Sequence, residues 1–275
     1  MICFLDYDGT LVDDYDKANK LNIEFIKKYE NSFVLASGRC LTQINHIFEK
    51  YDFDIDVIGG NGSFFIRNGR INILNVIESQ LIIKIIRLIA PLNVPIIVHT
   101  INDTYTVDYN STSLNLENII QIANEYSRHI LNKPLASSNI IKLYNDTFST
   151  KYLSRISVAE VRKLTNITGL EFFFQTLDVR KKILNILLNF GSFTESYYTS
   201  IEFNGGATKG NGIKNYLLTR SNEITYSIGN DQNDITMFQE TNIPLKVKNS
   251  SPKLPAVQIP YGPLDPYLEL LFKLR

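Results

Sequence analysis

The chain has 275 residues, 44% of them hydrophobic, and its 28 basic residues balance its 28 acidic ones. This length can bury the core of one large domain or of two modest ones, and a formal net charge of zero is unlike the basic excess of nucleic-acid-binding proteins. The sequence shows neither a signal-peptide pattern nor an apolar run long enough to span a membrane, and Cys3 and Cys40 suggest no disulfide framework. We therefore expect a cytoplasmic monomer or weak homodimer whose partners include neither nucleic acid nor a membrane.

Both ends of the chain alternate apolar strands with helical patterns. At the N-terminal end, the patterns predict strands at 2–5, 33–36 and 57–58 and helices at 16–29 and 41–50. At the C-terminal end, they predict helices at 209–218, 235–240 and 266–274 and strands at 224–228 and 245–247. Strands that alternate with helices favour a parallel sheet with crossover helices.

The middle of the chain has a different pattern. Helices are predicted at 80–90, 115–131, 157–166 and 178–190, and strands at 95–100, 104–109, 140–144 and 171–175. This order is typical of an α+β unit with an antiparallel sheet. We therefore predict an α/β fold, in which residues 1–80 and 186–275 form a parallel-sheet, Rossmann-like core and residues 81–185 form an inserted α+β domain.

Four polar clusters lie at the carboxyl ends of predicted parallel strands. They are Asp6-Tyr7-Asp8-Gly9-Thr10, Ser37-Gly38-Arg39, the segment before Lys209, and residues 229–234. In open α/β sheets, ligands bind outside the carboxyl ends of the strands. The four clusters are therefore expected to meet in one crevice.

The residue types in these clusters indicate phosphoryl transfer. Asp6 and Asp8 place two carboxylates close together, which favours a bound divalent cation, and oxygen ligands suit Mg²⁺. Asp6 would attack phosphorus to form an aspartyl-phosphate, while Asp8 would protonate the leaving oxygen and later activate water. The Ser37 hydroxyl and the Lys209 ammonium would bind phosphoryl oxygens. Free backbone N–H groups near Thr10 would face the anion.

In their order, the four clusters resemble the four motifs of the haloacid dehalogenase-like hydrolases. The matching segments are D-Y-D-G-T-L at 6–11, S-G-R at 37–39, T-K-G at 208–210 and G-N-D-Q-N-D at 229–234. The long insertion between the second and third motifs resembles the C2-type cap domain of the Cof-type sugar-phosphate phosphatases. N-G-S at 61–63 resembles that group's N-G-A turn, and residues 201–203 resemble its approach to the lysine motif. The resemblance implies Mg²⁺-dependent hydrolysis of a small phosphorylated metabolite, expected to be a sugar phosphate, with a cap that selects the substrate.

The resemblance also implies roles for the remaining motif residues. The predicted phosphate-binding residues are Thr10, Ser37, Gly38, Arg39 and Asn233, and the predicted metal ligands are Asp6, Asp8, Asn230, Asp231 and Asp234. One departure concerns Asn230, because the family usually has an aspartate there as a metal ligand. An amide oxygen can bind a cation without contributing charge, so Asp231 or Asp234 is an alternative ligand; Asp234 can instead orient Lys209.

Several of these residues also have structural interpretations. Ser37 can cap the next helix, Arg39 can serve in an ion pair, Asn233 can hold its loop, and Lys209 can be a surface lysine. His99, at the end of a predicted strand of the insertion, is either structural or directed at the substrate.

Two other functions remain open at this point. A phosphomutase would share the core, but it must hold a second phosphate, and the arginines of the insertion are scattered along the sequence. A non-catalytic metabolite-binding protein would fit the unusual Asn230, but it would have no need of the nucleophile Asp6.

Overall fold

In the computed structural model, the described residues are 1–12, 18–108, 153–174, 176–191, 193–195, 200–220, 223–247 and 254–259. The strands in these ranges are β1 (Ile2–Asp6), β2 (Phe33–Ala36), β3 (Asp56–Gly59), β4 (Phe64–Arg67), β5 (Arg70–Ile73), β6 (Ile96–Thr100), β7 (Thr104–Asp108), β8 (Leu153–Ser157), β9 (Ile167–Phe173), β10 (Phe193–Glu195), β11 (Ser200–Phe203), β12 (Thr225–Gly229), β13 (Ile243–Val247) and β14 (Val257–Ile259). The helices are α1 (Lys20–Lys28), α2 (Leu41–Tyr51), α3 (Ser79–Ile89), α4 (Val158–Val161), α5 (Leu177–Leu187), α6 (Lys209–Leu217) and α7 (Ile235–Gln239). Within the described ranges, none of these helices has the length and apolar content needed to cross a membrane.

The first sheet has eight strands in the order β14-β13-β12-β1-β2-β3-β4-β5. The six strands from β14 to β3 pair in parallel, and β4 and β5 add an antiparallel edge. All five residues of β1 are buried, because this strand is central and both of its faces are covered. The predicted α/β fold with a parallel-sheet core is confirmed.

The hairpin of β4 and β5 was not predicted, although its turn has a local signal. Asn68 and Gly69 adopt positive φ values of 49° and 71°, and Asn-Gly is the usual pair for a two-residue hairpin turn. The hairpin extends the parallel sheet beyond β3 and packs Phe65 against Tyr216 of helix α6. It therefore contributes to holding the helix that begins with Lys209.

The second sheet has six strands in the order β10-β11-β9-β6-β7-β8. One face carries apolar residues that pack with helices α3, α4 and α5 in a separate hydrophobic cluster. This sheet corrects the C-terminal boundary of the predicted insertion: residue 185 lies inside α5, and β10 and β11 pair within the second sheet. Backbone pairing therefore extends the inserted unit to Phe203.

Most predicted elements in the described ranges are confirmed within a few residues. The helix predicted at 157–166 is shorter and covers only Val158–Val161. Three predictions lie outside the described residues: the helix at 115–131, the strand at 140–144 and the last helix at 266–274.

The turn between β6 and β7 reaches from the second sheet to the first. The carbonyl oxygens of Ile101 and Asn102 accept the N–H groups of Leu41 and Thr42, at 2.8 Å and 3.0 Å. Thr42 Oγ1 also donates to Asp103 Oδ1 at 2.6 Å. Ile101 is 3% exposed and belongs to the hydrophobic cluster of the first sheet. The turn thus satisfies backbone donors that the first turn of a helix leaves without intrahelical partners.

Candidate active site

The end of strand β1 and the start of helix α6 bring opposite charges together. Asp6 is the last residue of β1, and Lys209 is the first residue of α6, directly after the N-cap residue Thr208. Lys209 Nζ donates to Asp6 Oδ1 at 2.5 Å and to Asp234 Oδ1 at 2.8 Å. The side chains of Lys209, Asp234 and Asp6 are 1%, 0% and 8% exposed. Three charged groups therefore share one nearly dry site.

The charges in this site depend on one another. Burial raises the pKa of Asp6 to about 7, and the charge of Asp234 acts in the same direction, although the Lys209 ammonium opposes both. Burial alone would lower the pKa of Lys209, but Asp234 and Asp6 outweigh it and raise that pKa above its ordinary value. Lys209 therefore stays cationic at neutral pH, and the Asp6 carboxylate gains stability from any further positive charge.

One oxygen of Asp6 is available for chemistry. Among the described residues, Asp6 Oδ2 is a buried side-chain oxygen with no hydrogen-bond partner. A buried carboxylate oxygen without a partner is costly, and such groups mark sites of ligand binding or catalysis when they line a polar crevice. Lys209 fixes Oδ1 and thereby fixes the direction of Oδ2.

The loop after β1 folds back on itself and contacts Asn230. The Tyr7 carbonyl accepts the N–H of Thr10 at 3.3 Å, so this N–H is not free to face an anion, contrary to our prediction. The Thr10 hydroxyl donates to Asn230 Oδ1 at 3.3 Å. Gly9 has a φ of 76°, and a side chain at this position would collide with the Asn230 amide. The structure thus places Asn230 directly against the loop that carries Asp8.

Asp8 is paired with Arg39. Arg39 Nε lies 3.0 Å from Asp8 Oδ2, and Arg39 Nη2 lies 2.6 Å from Asp8 Oδ1. The guanidinium also stacks over the Tyr7 ring, at 4.9 Å from its centroid. The side chains of Arg39 and Asp8 are 32% and 60% exposed, so the pair lies at the solvent side of the crevice. The ion-pair interpretation of Arg39 therefore describes its contacts here, and phosphate binding by Arg39 stays a prediction.

The loop after β2 lies against the turn at Gly60–Gly62. Ser37 is 1% exposed, and its Oγ accepts the N–H of Arg39 at 3.3 Å; a hydroxyl used in this way can still donate its own proton. The Ser37 carbonyl accepts the N–H of Asn61 at 3.1 Å. A side chain at Gly38 would lie only 3.1 Å from Asn61 Nδ2, so glycine lets the Asn61 amide lie directly over this loop.

The loop after β12 is organised by two carboxylates. Asp234 Oδ2 accepts the N–H groups of Asn230 and Asp231 at 2.8 Å and 3.0 Å, and Asp231 Oδ1 accepts the N–H of Gln232 at 2.6 Å. Burial raises the pKa of Asp231 well above its ordinary value, and the charges of Asp234 and Asp6 add to this. Asn233 Nδ2 lies 3.4 Å from Asn61 Oδ1. Both oxygens of Asp234 thus have protein partners, which matches its alternative role of orienting Lys209.

The donor set fits a divalent cation after a local rearrangement. Among the described residues, no group of three or more His, Cys, Asp or Glu side chains already converges as a metal site. Lys209 and Arg39 hold the Asp6 and Asp8 carboxylates. The unpartnered Oδ2 of Asp6 is nevertheless the kind of oxygen that Mg²⁺ binds. Asp6 and the Asn230 amide oxygen are the side chains that fit such an ion. Asp8, also a predicted ligand, is held by Arg39 at both oxygens, and Asp234 and one oxygen of Asp231 hold the loop after β12.

A family model described as haloacid dehalogenase-like hydrolase matches residues 3–257. The chain belongs to the haloacid dehalogenase-like hydrolases. This match includes all four motifs and the inserted unit, which we call the cap from here on. No curated protein matches the sequence.

Solved structures share the whole fold of this haloacid dehalogenase-like hydrolase. A haloacid dehalogenase-like hydrolase from B. subtilis is 16% identical with a TM-score of 0.79, and 100% of each chain is covered. A sugar phosphatase of HAD subclass IIB is 16% identical with a TM-score of 0.71, covering 100% of this chain and 99% of the other. A protein of the same superfamily from Bacteroides thetaiotaomicron, described among its phosphatases, is 18% identical with a TM-score of 0.72, covering 98% and 94%. At these identities the likeness shows the fold.

The cap of this haloacid dehalogenase-like hydrolase has polar residues on the face of its sheet opposite the helices. Glu202 of β11 pairs directly with Glu171 of β9, and His99 Nε2 lies 3.4 Å from Glu171 Oε2. Burial and the charge of Glu171 raise the pKa of Glu202 to about 7, against the opposing charges of His99 and Lys209. Burial would lower the pKa of His99, but its contact with Glu171 raises it above the ordinary value.

Asn61 and Glu202 were not predicted as site residues from the sequence. Asn61 is 6% exposed, and its Nδ2 donates to Glu202 Oε2 at 2.7 Å. The only signals in the sequence were the resemblance of residues 61–63 and 201–203 to family segments, neither of which indicates that the two segments meet. His99 contacts Glu171, so both interpretations of His99 remain consistent with its position.

Proposed function

We propose that this haloacid dehalogenase-like hydrolase is a Mg²⁺-dependent phosphatase that hydrolyses a small phosphomonoester, in particular a sugar phosphate, through an aspartyl-phosphate on Asp6. The observation that carries the proposal is the state of Asp6: Lys209 holds one of its oxygens at 2.5 Å, and the other is buried and unpartnered. A fixed carboxylate with one available oxygen is what an in-line attack on phosphorus requires.

In the first step, an Asp6 oxygen forms a bond to phosphorus as the bond from phosphorus to the leaving oxygen breaks. Asp8, as a carboxylic acid, gives its proton to that leaving oxygen. Because Arg39 holds the Asp8 carboxylate in the structure, Asp8 must leave this pair to act. Lys209 and the Ser37 hydroxyl stabilise the negative charge on the phosphoryl oxygens.

In the second step, a water molecule attacks phosphorus and passes its proton to the Asp8 carboxylate. The bond between phosphorus and Asp6 breaks, so that orthophosphate leaves and the Asp6 carboxylate is restored. Asp6 and Asn230 would hold Mg²⁺, which would supply charge neutralisation for the phosphoryl group, while the Asp8 side chain moves the proton. Asp234 keeps Lys209 in place through both steps.

A sugar phosphate is the preferred substrate class for two reasons. A structure of the same fold is described as a sugar phosphatase, and the described polar face of the cap sheet offers carboxylates and an imidazole, which suit hydroxyl groups. A phosphomutase needs cationic groups there for its second phosphate. The directly opposed Glu171 and Glu202 would repel that phosphate, so this geometry favours hydrolysis over mutase activity.

The test is phosphate release from a panel of phosphorylated metabolites with Mg²⁺, comparing the native chain with Asp6→Asn. We expect hydrolysis of at least one sugar phosphate and loss of nearly all activity in the variant, which is almost isosteric. Asp54→Asn is a matched control, because Asp54 is exposed and lies outside the four motifs. Full activity of Asp6→Asn would reject the nucleophile. Isomerised rather than dephosphorylated hexose phosphate would indicate a mutase, and saturable binding without turnover a binding protein.

A further inference from the structure

Asn61 lies where three segments of the molecule meet. Its backbone N–H donates to the carbonyl of Ser37, in the loop after β2. Its side-chain oxygen faces Nδ2 of Asn233, in the loop after β12. Its side-chain nitrogen donates to Glu202, in cap strand β11. Asn61 thus contacts the cap and the two loops, after β2 and after β12, that are expected to bind phosphate.

The conformation of Asn61 is fixed rather than accidental. Its φ is 51°, in the left-handed region that asparagine tolerates better than most residues. Its neighbour Gly62, with a φ of 93°, packs so tightly against the Thr208 carbonyl that a side chain there would collide with it. The turn is therefore wedged between the loop after β2 and the start of α6, and the amide of Asn61 has little room to move.

Glu202 decides which way the Asn61 amide points. While Glu202 is ionised, its carboxylate only accepts hydrogen bonds, so in that state the 2.7 Å contact requires Nδ2 on the Glu202 side. The oxygen of the amide must then face the opposite way, toward Asn233 Nδ2. If the amide turned around, it would place an oxygen against the carboxylate and a second NH₂ group against Asn233. The cap strand thereby orients a group that touches the loops expected to bind phosphate.

We propose that Glu202 and Asn61 form a positioning pair, in which the cap carboxylate orients the Asn61 amide and the amide in turn fixes the loops that carry Ser37 and Asn233. The proposal rests on the proposed phosphatase function. Neither residue contacts the reacting atoms; they act through the phosphate-binding loops. The pair also means that the cap influences phosphate binding through a hydrogen bond, in addition to any contact with the leaving group.

A reversal of the pair provides the test. Asn61→Asp keeps an oxygen toward Asn233 but places a second carboxylate against Glu202, and aspartate also tolerates the left-handed backbone. Glu202→Gln alone retains an acceptor for Asn61. In the double variant, the new glutamine amide can donate to the new carboxylate, which restores a hydrogen bond of opposite direction.

Two quantities are measured for each variant at pH 8, where Glu202 is ionised: kcat and KM for 4-nitrophenyl phosphate with Mg²⁺, and the affinity for inorganic phosphate by calorimetry. We expect Asn61→Asp to lose about tenfold or more in kcat/KM and in phosphate affinity. Glu202→Gln and the double variant should stay within about threefold of the native chain. Asn75→Asp is the matched control, because the Asn75 amide donates to the carbonyls of Asn204 and Gly205, directly after cap strand β11, and to neither loop. Its kcat/KM should change by less than about threefold.

The proposal is overturned if Asn61→Asp keeps native kinetics and phosphate affinity, or if the double variant shows no recovery. Should Asn61→Asp fail to fold, Glu202→Leu and Glu202→Gln are compared: we expect the leucine variant, which lacks an acceptor, to be about tenfold weaker, and equal values overturn the pair. If the native chain binds phosphate without turnover, the proposed function is contradicted. The Glu202–Asn61 pair is then tested by the phosphate affinities of the variants alone. Loss of both turnover and phosphate binding in the native chain overturns both proposals.

Discussion

The guanidinium of Arg39 holds both oxygens of the Asp8 carboxylate, with contacts of 3.0 Å and 2.6 Å. Two parallel N–H donors on one carboxylate give a strongly directional pair. The arrangement keeps the proposed acid and base of the reaction at the solvent side of the crevice. In the proposed mechanism, Asp8 therefore exchanges the Arg39 guanidinium for the substrate in each reaction cycle.

Replacement of Arg39 distinguishes its two possible roles. For Arg39→Met we expect kcat for 4-nitrophenyl phosphate to rise by up to about fivefold while KM stays within about twofold, because Asp8 no longer has to leave a partly exposed pair that contributes up to about 1 kcal/mol. Steady-state kinetics measure both values, with the exposed cap residue Arg87→Met as the control. A tenfold rise in KM with unchanged kcat would instead assign Arg39 to phosphate binding, as the sequence suggested.

Removal of Lys209 should affect stability as well as activity. Lys209→Met leaves the buried carboxylates of Asp6 and Asp234 without their shared cation, and loss of one partner of a buried pair costs roughly 3–5 kcal/mol. Thermal unfolding should show this loss of stability. The loss should become smaller as the pH falls, because protonation of Asp6 or Asp234 removes the repulsion between their carboxylates.

The double variant Lys209→Met with Asp234→Asn is the matched comparison for that experiment. Neutralising Asp234 removes one of the stranded charges, so we expect most of the lost stability to return while phosphatase activity stays absent. If the single variant is as stable as the native chain, the three groups do not depend on one another as the structure indicates.

Asn230→Asp should strengthen magnesium binding. Asn230 lies against the loop of Asp8 and Thr10, and a charged ligand binds a dication more strongly than an amide does. We expect the Mg²⁺ concentration for half-maximal activity to fall about tenfold, which corresponds to about 1.4 kcal/mol. Thermal stabilisation by Mg²⁺ should increase as well. A magnesium titration followed by both readouts that shows no change would remove Asn230 from the ligand set.

Glu202→Gln should change how stability depends on pH. The pKa of Glu202 is raised from the ordinary value of 4.5 to about 7 by burial and by Glu171, against the charges of His99 and Lys209. The folded chain therefore holds a proton that the unfolded chain releases between these pH values, and stability falls as the pH rises through this window. The raised pKa of His99 acts in the same direction.

Melting temperatures at pH 5, 6, 7 and 8 test this expectation. The native chain should lose a few kcal/mol at most across the window, at about 1.4 kcal/mol per unit of pKa shift, and Glu202→Gln should lose less. Glu49→Gln, at an exposed position of helix α2, serves as the control. Parallel pH profiles for Glu202→Gln and the native chain would show that Glu202 does not titrate in this range.

The sequence was sufficient for the parts of the site that follow from strand ends. Asp6 follows a continuous apolar run, and the clusters at 37–39 and 229–234 follow strands of the same sheet, so their convergence results from the parallel topology. Lys209 was placed by the motif around it. The contact of Lys209 with both carboxylates depends on side-chain packing and on burial, which local sequence patterns do not encode.

What could not be predicted depends on pairs that are distant in sequence. Asn61 and Glu202 are 141 positions apart, and each belongs to a short segment without a chemical motif of its own. Strand β11 was interpreted only as the approach to Lys209, because its pairing with β9 is a tertiary property. The prediction of a free N–H at Thr10 was wrong for a local reason: the loop after β1 turns back, and this N–H donates to the Tyr7 carbonyl.

The turn at 101–103 determines how this cap can be exchanged between proteins. Its carbonyl groups complete the first turn of helix α2, and Ile101 fills a position in the core of the first sheet. A chimaera with a foreign cap would leave two helix N–H groups unsatisfied and an apolar gap in the recipient core. A successful transplant must therefore carry the turn together with helix α2, which receives it.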